Sequence, residues 1–142
     1  MAKAKKRSPF LYVYLYAIVI LLGHSIPAAQ FAKLARMNKL FRYVFSDKAF
    51  HFLLFGFFAW LLCFGYHMVG RGKIPYFRIF VLSAGYGGLI EAWQALLPYR
   101  HFDKRDMMFD FLGIFVFMMG FWVMRRRGIL LRPKTRVSSK DT

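Results

Sequence analysis

The sequence predicts an all-α, polytopic membrane protein with four transmembrane helices and one interfacial amphipathic helix. Three observations lead there. Hydrophobic residues make up 58% of the 142, and 18 of them are Phe, whereas a soluble domain is about 45–50% apolar. Four apolar segments each approach the ~20 residues that cross a hydrocarbon core. The 22 Lys and Arg, set against 6 Asp and Glu for a net charge of +16, flank those segments instead of lining one polar face. That placement suits membrane orientation and anionic headgroups, and it argues against nucleic acid as a partner.

The first segment, near 10–26, follows the basic start MAKAKKRSPF and is stopped by Pro27. It is longer than the apolar core of a signal peptide, and SIPAAQF is a weak cleavage site, so it reads as an uncleaved helix. The stretch 28–46 interleaves Phe31, Leu34, Leu40, Phe41 and Phe45 with Lys33, Arg36, Lys39 and Arg42. This roughly helical spacing is the pattern of a basic helix lying in the headgroup plane. A second span, near 49–69, gives way to the turn-like GRGKIP, and a third, near 76–97, stops at Pro98. Proline ends the first and third spans because it lacks an N–H and clashes with the preceding turn. The fourth, near 107–124, runs into Arg125, Arg126 and Arg127.

With the N-terminus inside, cytoplasmic pieces carry 14 Lys and Arg and the opposite side carries 8. The positive-inside rule then places both termini in the cytoplasm of a multi-pass cell-membrane protein. The division is a basic tail at 1–9, a membrane domain at 10–127 and a second basic, partly disordered tail at 128–142. Small residues let helices approach closely in lipid. Ala84, Gly88 and Ala92, with Gly85 and Gly87 beside them, are expected to pack, as are Gly113 and Gly120. Cys63 is alone, so no intrachain disulfide forms.

Charge inside such segments is expensive and marks a site by default. Asp47, Lys48 and His51 open the second span; Glu91 and Gln94 lie near the end of the third; Arg100, Asp103, Asp106 and Asp110 lead into the fourth. In four alternating spans all of these reach one surface, the outer one, and His24 at the end of the first span joins them. Asp47, Asp103 and Asp106 could equally cap helices. Glu91 and Asp110 are harder to explain that way. Glu91 has no cationic neighbour on its own helix and needs a partner from another segment, with Arg100, Lys48 or His51 the candidates.

DKAFHFLLFG, then EAWQ, then RHFDKRDMMFDFLG resemble the VanZ-like membrane proteins. That family's pattern is D-K-x-x-H, then E-x-x-Q, then R-x-x-[SD]-x-x-D-x-x-x-N-x-x-G. The match covers Asp47 to Gly113, and SIP at Ser25–Pro27 is also typical. One position departs: the family's usual Asn is Asp110, a carboxylate in place of an amide. The family takes its name from a member associated with low-level teicoplanin resistance. The resemblance therefore implies a cell-envelope protein with an outward-facing polar site and an antibiotic-resistance-like role.

Three functions fit these residues. In the leading one, Asp47, Lys48, His51, Glu91, Gln94, Arg100, Asp106 and Asp110 bind an amphiphile. The ligand would be a membrane lipid, a lipid-linked cell-wall precursor or a glycopeptide, with Lys48, Arg100 and Arg105 meeting its anionic group. In the second, an intramembrane hydrolase or transferase acts on a lipid headgroup, with His51, Glu91, Asp106 and Asp110 as catalytic candidates. No Ser or Cys lies in helical register with His51 to serve as nucleophile. In the third, a structural or assembly subunit uses buried charge to hold its helices together. No cofactor is expected, and no metal either, since no close pair of His and no Cys cluster exists.

Overall fold

In the computed structural model the described residues are 8–27, 30, 47–70, 73–100 and 102–130. They form four helices: α1 (Leu11–His24), α2 (Asp47–Val69), α3 (Tyr76–Ala95) and α4 (Lys104–Arg126). No strand occurs among them. The amphipathic helix expected at 28–46 falls, but for Gln30, outside the described residues, as does the tail beyond 130.

Local chemistry sets the ends. α1 and α3 each stop three residues short of a proline, with Ser25 and Leu96 as C-caps. Both end two residues earlier than the apolar runs predict, because the residue before a proline is driven away from helical backbone angles. Gly70 and Gly128 follow the ends of α2 and α4 with φ of 72° and 69°, a left-handed conformation that glycine adopts without a Cβ penalty. α4 begins three residues earlier than expected. Asp103 caps it, its Oδ1 accepting from the Arg105 N–H at 2.8 Å, and an N-cap is worth about 1 kcal/mol. The helix also continues to Arg126, whose guanidinium lies 4.2 Å from the Trp122 ring centroid. Cations near a helix C-terminus meet the negative end of its dipole.

Four membrane spans are expected, and two of the helices, α2 and α4, are long and apolar enough to cross a membrane. α1 is apolar but has 14 residues, about 21 Å at 1.5 Å each. α3 has the length, at 20 residues, but Arg78, Ser83, Glu91, Gln94 and three glycines dilute its hydropathy.

α2 lies at the centre and packs most extensively on α4, while α1 rests on α2 and α3. The core joins Val13 and Ile20 of α1 to Phe55, Ala59 and Cys63 of α2, Ile79 and Ile90 of α3, and Ile114 and Phe121 of α4. The outside is apolar as well: Phe77 is 80% exposed, Leu96 78%, Met108 68% and Leu89 67%. Large contiguous apolar surface is unusual on a soluble monomer and marks a membrane or protein contact.

Two glycines hold the helices at the distances the polar residues need. A Cβ at Gly113 would collide with the Phe52 carbonyl of α2, and one at Gly87 would sit 2.9 Å from Asp110 Oδ2. Gly56 similarly makes room for the Phe117 ring. Gly85, Gly88 and Gly120, expected to pack, face open space instead, and Ala92 is exposed. The helix faces that meet are set by where α2 docks, which a stripe of small residues on α3 does not specify.

Candidate functional site

His51 occupies the first turns of α2, and around it the other three helices bring their ends together. Its Nδ1 is 2.9 Å from Asp110 Oδ1. A carboxylate only accepts, so Nδ1–H is the donor and the ring's tautomer is fixed. Its Nε2 faces two more carboxylates, Asp106 Oδ2 at 3.7 Å and Glu91 Oε1 at 3.8 Å. All four side chains are buried: His51 and Glu91 0% exposed, Asp110 1% and Asp106 5%.

Each helix contributes through its own local structure. Asp106 and Asp110 are four apart on α4 and therefore share a face. Gly87 of α3 leaves room for Asp110, and Gly113, one turn further along α4, lets that helix press against the α2 backbone. Glu91 reaches from α3 to the start of α4, where its Oε2 accepts the Asp103 N–H at 3.3 Å. A helix N-terminus presents free N–H groups and positive dipole, so it steadies a carboxylate that would otherwise be stranded. The buried network expected for Glu91 thus forms with His51 and the α4 N-terminus.

α1 closes one side. His24 is 2% exposed, its Nδ1–H donates to Ile20 O at 2.8 Å, and its ring meets His51 edge-on with centroids 4.7 Å apart. Phe55 stacks on the His51 ring at 6.1 Å. The end of α1 is tied to the end of α3 by four hydrogen bonds. Trp93 Nε1 donates to Ser25 Oγ at 3.0 Å, Gln94 Nε2 to His24 O at 3.4 Å, Tyr99 Oη to Ser25 O at 2.9 Å, and an Arg100 guanidinium nitrogen to Ile26 O at 3.1 Å. The last turn of a helix leaves carbonyls without intrahelical partners, and the Gln94, Tyr99 and Arg100 donors satisfy those of His24, Ser25 and Ile26.

Of the eight ligand-binding candidates, His51, Glu91, Asp106 and Asp110 come together. Gln94 and Arg100 stand beside them and hold α1. Lys48 is half-buried one turn before His51. Asp47 opens α2, but its side chain lies outside the described residues. Trp93 and Tyr99 were not singled out by sequence, while Ser25 entered only as part of SIP and Gly87 only as one of the small packing residues of α3. A hydrogen-bonding aromatic beside the proline-terminated end of α3 is a weak signal for the first two, and none marks Gly87 among its neighbours.

The VanZ/LLP1 family model matches residues 9–125, which take in α1 to α3, all but the last residue of α4, and every residue of this cluster. The chain belongs to the VanZ/LLP1 family. No curated protein and no solved structure matches it. Family membership and the two long apolar helices together point to a membrane protein.

Proposed function

We propose that this VanZ-like protein crosses the membrane four times with both termini in the cytoplasm. At its outer face it binds the headgroup of an amphiphilic envelope molecule, a phospholipid or a lipid-linked cell-wall precursor. One observation carries the reading: a fully buried His51–Glu91–Asp106–Asp110 cluster at the converging ends of apolar helices. Ionisable groups held at such depth are costly, and a site that uses them explains their presence. Two further features fit a ligand that is part polar and part apolar. Lys104 and Arg105 are exposed at the same end of α4. A groove of about 510 Å³ runs beside the first half of that helix, lined by Phe80, Met108, Phe109, Phe111, Leu112 and Phe115, where an acyl chain would lie.

Acid–base chemistry on the same headgroup is a second reading, favoured by the Asp110–His51 hydrogen bond. A carboxylate on Nδ1 orients an imidazole so that Nε2 can take a proton. Purified protein reconstituted in lipid and incubated with lipid-linked precursors, read by mass spectrometry, separates the two. Saturable retention of one lipid without turnover supports binding. A product formed by the wild type and lost in Glu91→Gln, with the protein still folded, replaces binding by catalysis. Loss of a proton-transfer group costs about 10²–10⁴-fold in rate, so the difference is readily seen.

A further inference from the structure

We infer that the protein holds an anionic phospholipid in the half of the bundle away from the carboxylate cluster. One acyl chain lies between α1 and α3, and the phosphate meets Arg78. A groove of about 360 Å³ opens there, a size within the range of ligand pockets. Val13 and Ala17 of α1, Leu62 of α2, and Leu82 and Tyr86 of α3 are among its walls.

The walls are held by specific contacts. Tyr86 Oη donates to Ala17 O at 2.6 Å, which ties α3 to α1 at the side of the groove nearer the cluster. At the other side Phe10 meets Tyr66 edge-on with centroids 5.2 Å apart, and Gly65 makes room for the Phe10 ring. Tyr14 and Leu82, which also line the groove, are 66% and 56% exposed, so it opens sideways onto the apolar surroundings. From Arg78 to Tyr86 α3 rises about 12 Å. Half of a ~30 Å hydrocarbon core is roughly 15 Å. The groove therefore suits a chain from one leaflet.

Charge selects the headgroup. Arg78 precedes Leu82 by four residues and so continues the same face of α3 toward the helix start. It is exposed, as is Lys73 in the turn before α3. An arginine can lay its stem along apolar surface while its guanidinium stays among headgroups, where it meets a phosphate with several donors. The N-terminal end of α3 adds its positive dipole at the same height. Among the described residues, no carboxylate stands at this end of the bundle. The ammonium of a zwitterionic headgroup would find no partner among them, so a headgroup with net negative charge is favoured.

This site shares no residue with the carboxylate cluster, so its failure leaves the proposed function untouched. Full-length protein in detergent is mixed with equal amounts of phosphatidylglycerol and phosphatidylcholine carrying the same chains. Retained lipid is then read by native mass spectrometry. Phosphatidylglycerol is expected to be kept in preference by about fivefold or more, the effect of a basic side chain near an anionic headgroup. Arg78→Gln should remove most of that preference, and Leu82→Trp, which fills the groove, should reduce retention itself. Arg127→Gln, at the end of α4 and away from the groove, should change neither. Glycerol 3-phosphate, a headgroup without a chain, should not displace the lipid at equal concentration. Equal retention of the two lipids by the wild type overturns the site, as does a Leu82→Trp protein that binds normally. Displacement by glycerol 3-phosphate, or an effect of Arg127→Gln as large as that of Arg78→Gln, overturns it too, since the first needs no groove and the second is diffuse attraction. Arg78 and Leu82 are both exposed, so their variants should fold; should they not, the wild-type preference decides alone.

Discussion

Asp110 does at the residue scale what its helix position alone would not reveal. It sits one turn beyond Asp106, is 1% exposed, and accepts the His51 Nδ1–H. An asparagine there, the residue usual in the VanZ-like pattern, keeps a carbonyl oxygen for that bond and gives up the charge. Asp110→Asn should therefore fold with little loss of stability. Asp110→Ala leaves a buried imidazole N–H without its acceptor, at a cost of about 1–3 kcal/mol. Thermal unfolding of both variants in the same detergent measures this. Equal melting temperatures for Asn and Ala would show that the hydrogen bond contributes nothing. Tyr99→Phe deletes a bond to the Ser25 carbonyl near the α1 terminus and should cost about 0.5–1.5 kcal/mol, visible in the same assay.

Between elements, the decisive contact is α2 on α4, and Gly113 is where it is tightest. The neighbour there is backbone, which cannot swing aside as a side chain would. Gly113→Ala must push the helices apart, an overpacking cost of about 1–3 kcal/mol, and would carry Asp110 away from His51. Gly120 lies two turns further along the same helix and faces open space. Gly120→Ala should be neutral or stabilising by up to about 1 kcal/mol, since alanine is the better helix former. Opposite shifts of the two melting temperatures are the expected result. If Gly113→Ala were as harmless as Gly120→Ala, the close approach of α2 and α4 would be wrong.

For the whole molecule, polarity is segregated by height. The described carboxylates of Glu91, Asp103, Asp106 and Asp110 gather at one end, while Arg125, Arg126 and Arg127 stand at the other end of α4. With the 14-to-8 distribution of Lys and Arg, this supports the proposed topology, with the site outside and both termini inside. Reporters fused after Arg127 and after Tyr99 are expected to report opposite sides, the first cytoplasmic and the second external. A C-terminal reporter active only outside would invert the protein and move the site to the cytoplasmic face.

The sequence by itself determined the all-helical class and the positions of α1 to α4 to within a few residues, because apolar run length, proline and capping residues act locally. It also determined which side chains needed explaining, since charge embedded in an apolar run is conspicuous without any structure. Even the gathering of His51, Glu91, Asp106 and Asp110 followed from alternating spans, which bring the end of one helix to the start of the next. Pairing was a different matter. Asp47 and His51 share a helix face in the sequence, yet His51 bonds to Asp110, 59 residues away. Arg100 looked like a partner for Glu91 or a ligand, and its described bond is to Ile26 at the end of α1. Among the described glycines, Gly56, Gly65, Gly87 and Gly113 are those at which a Cβ would crowd a neighbouring segment, and so they set helix spacing around the core and the cluster. Those choices depend on the rotation and separation of helices, set when side chains from four segments fill one core, and no local pattern in the chain encodes that rotation.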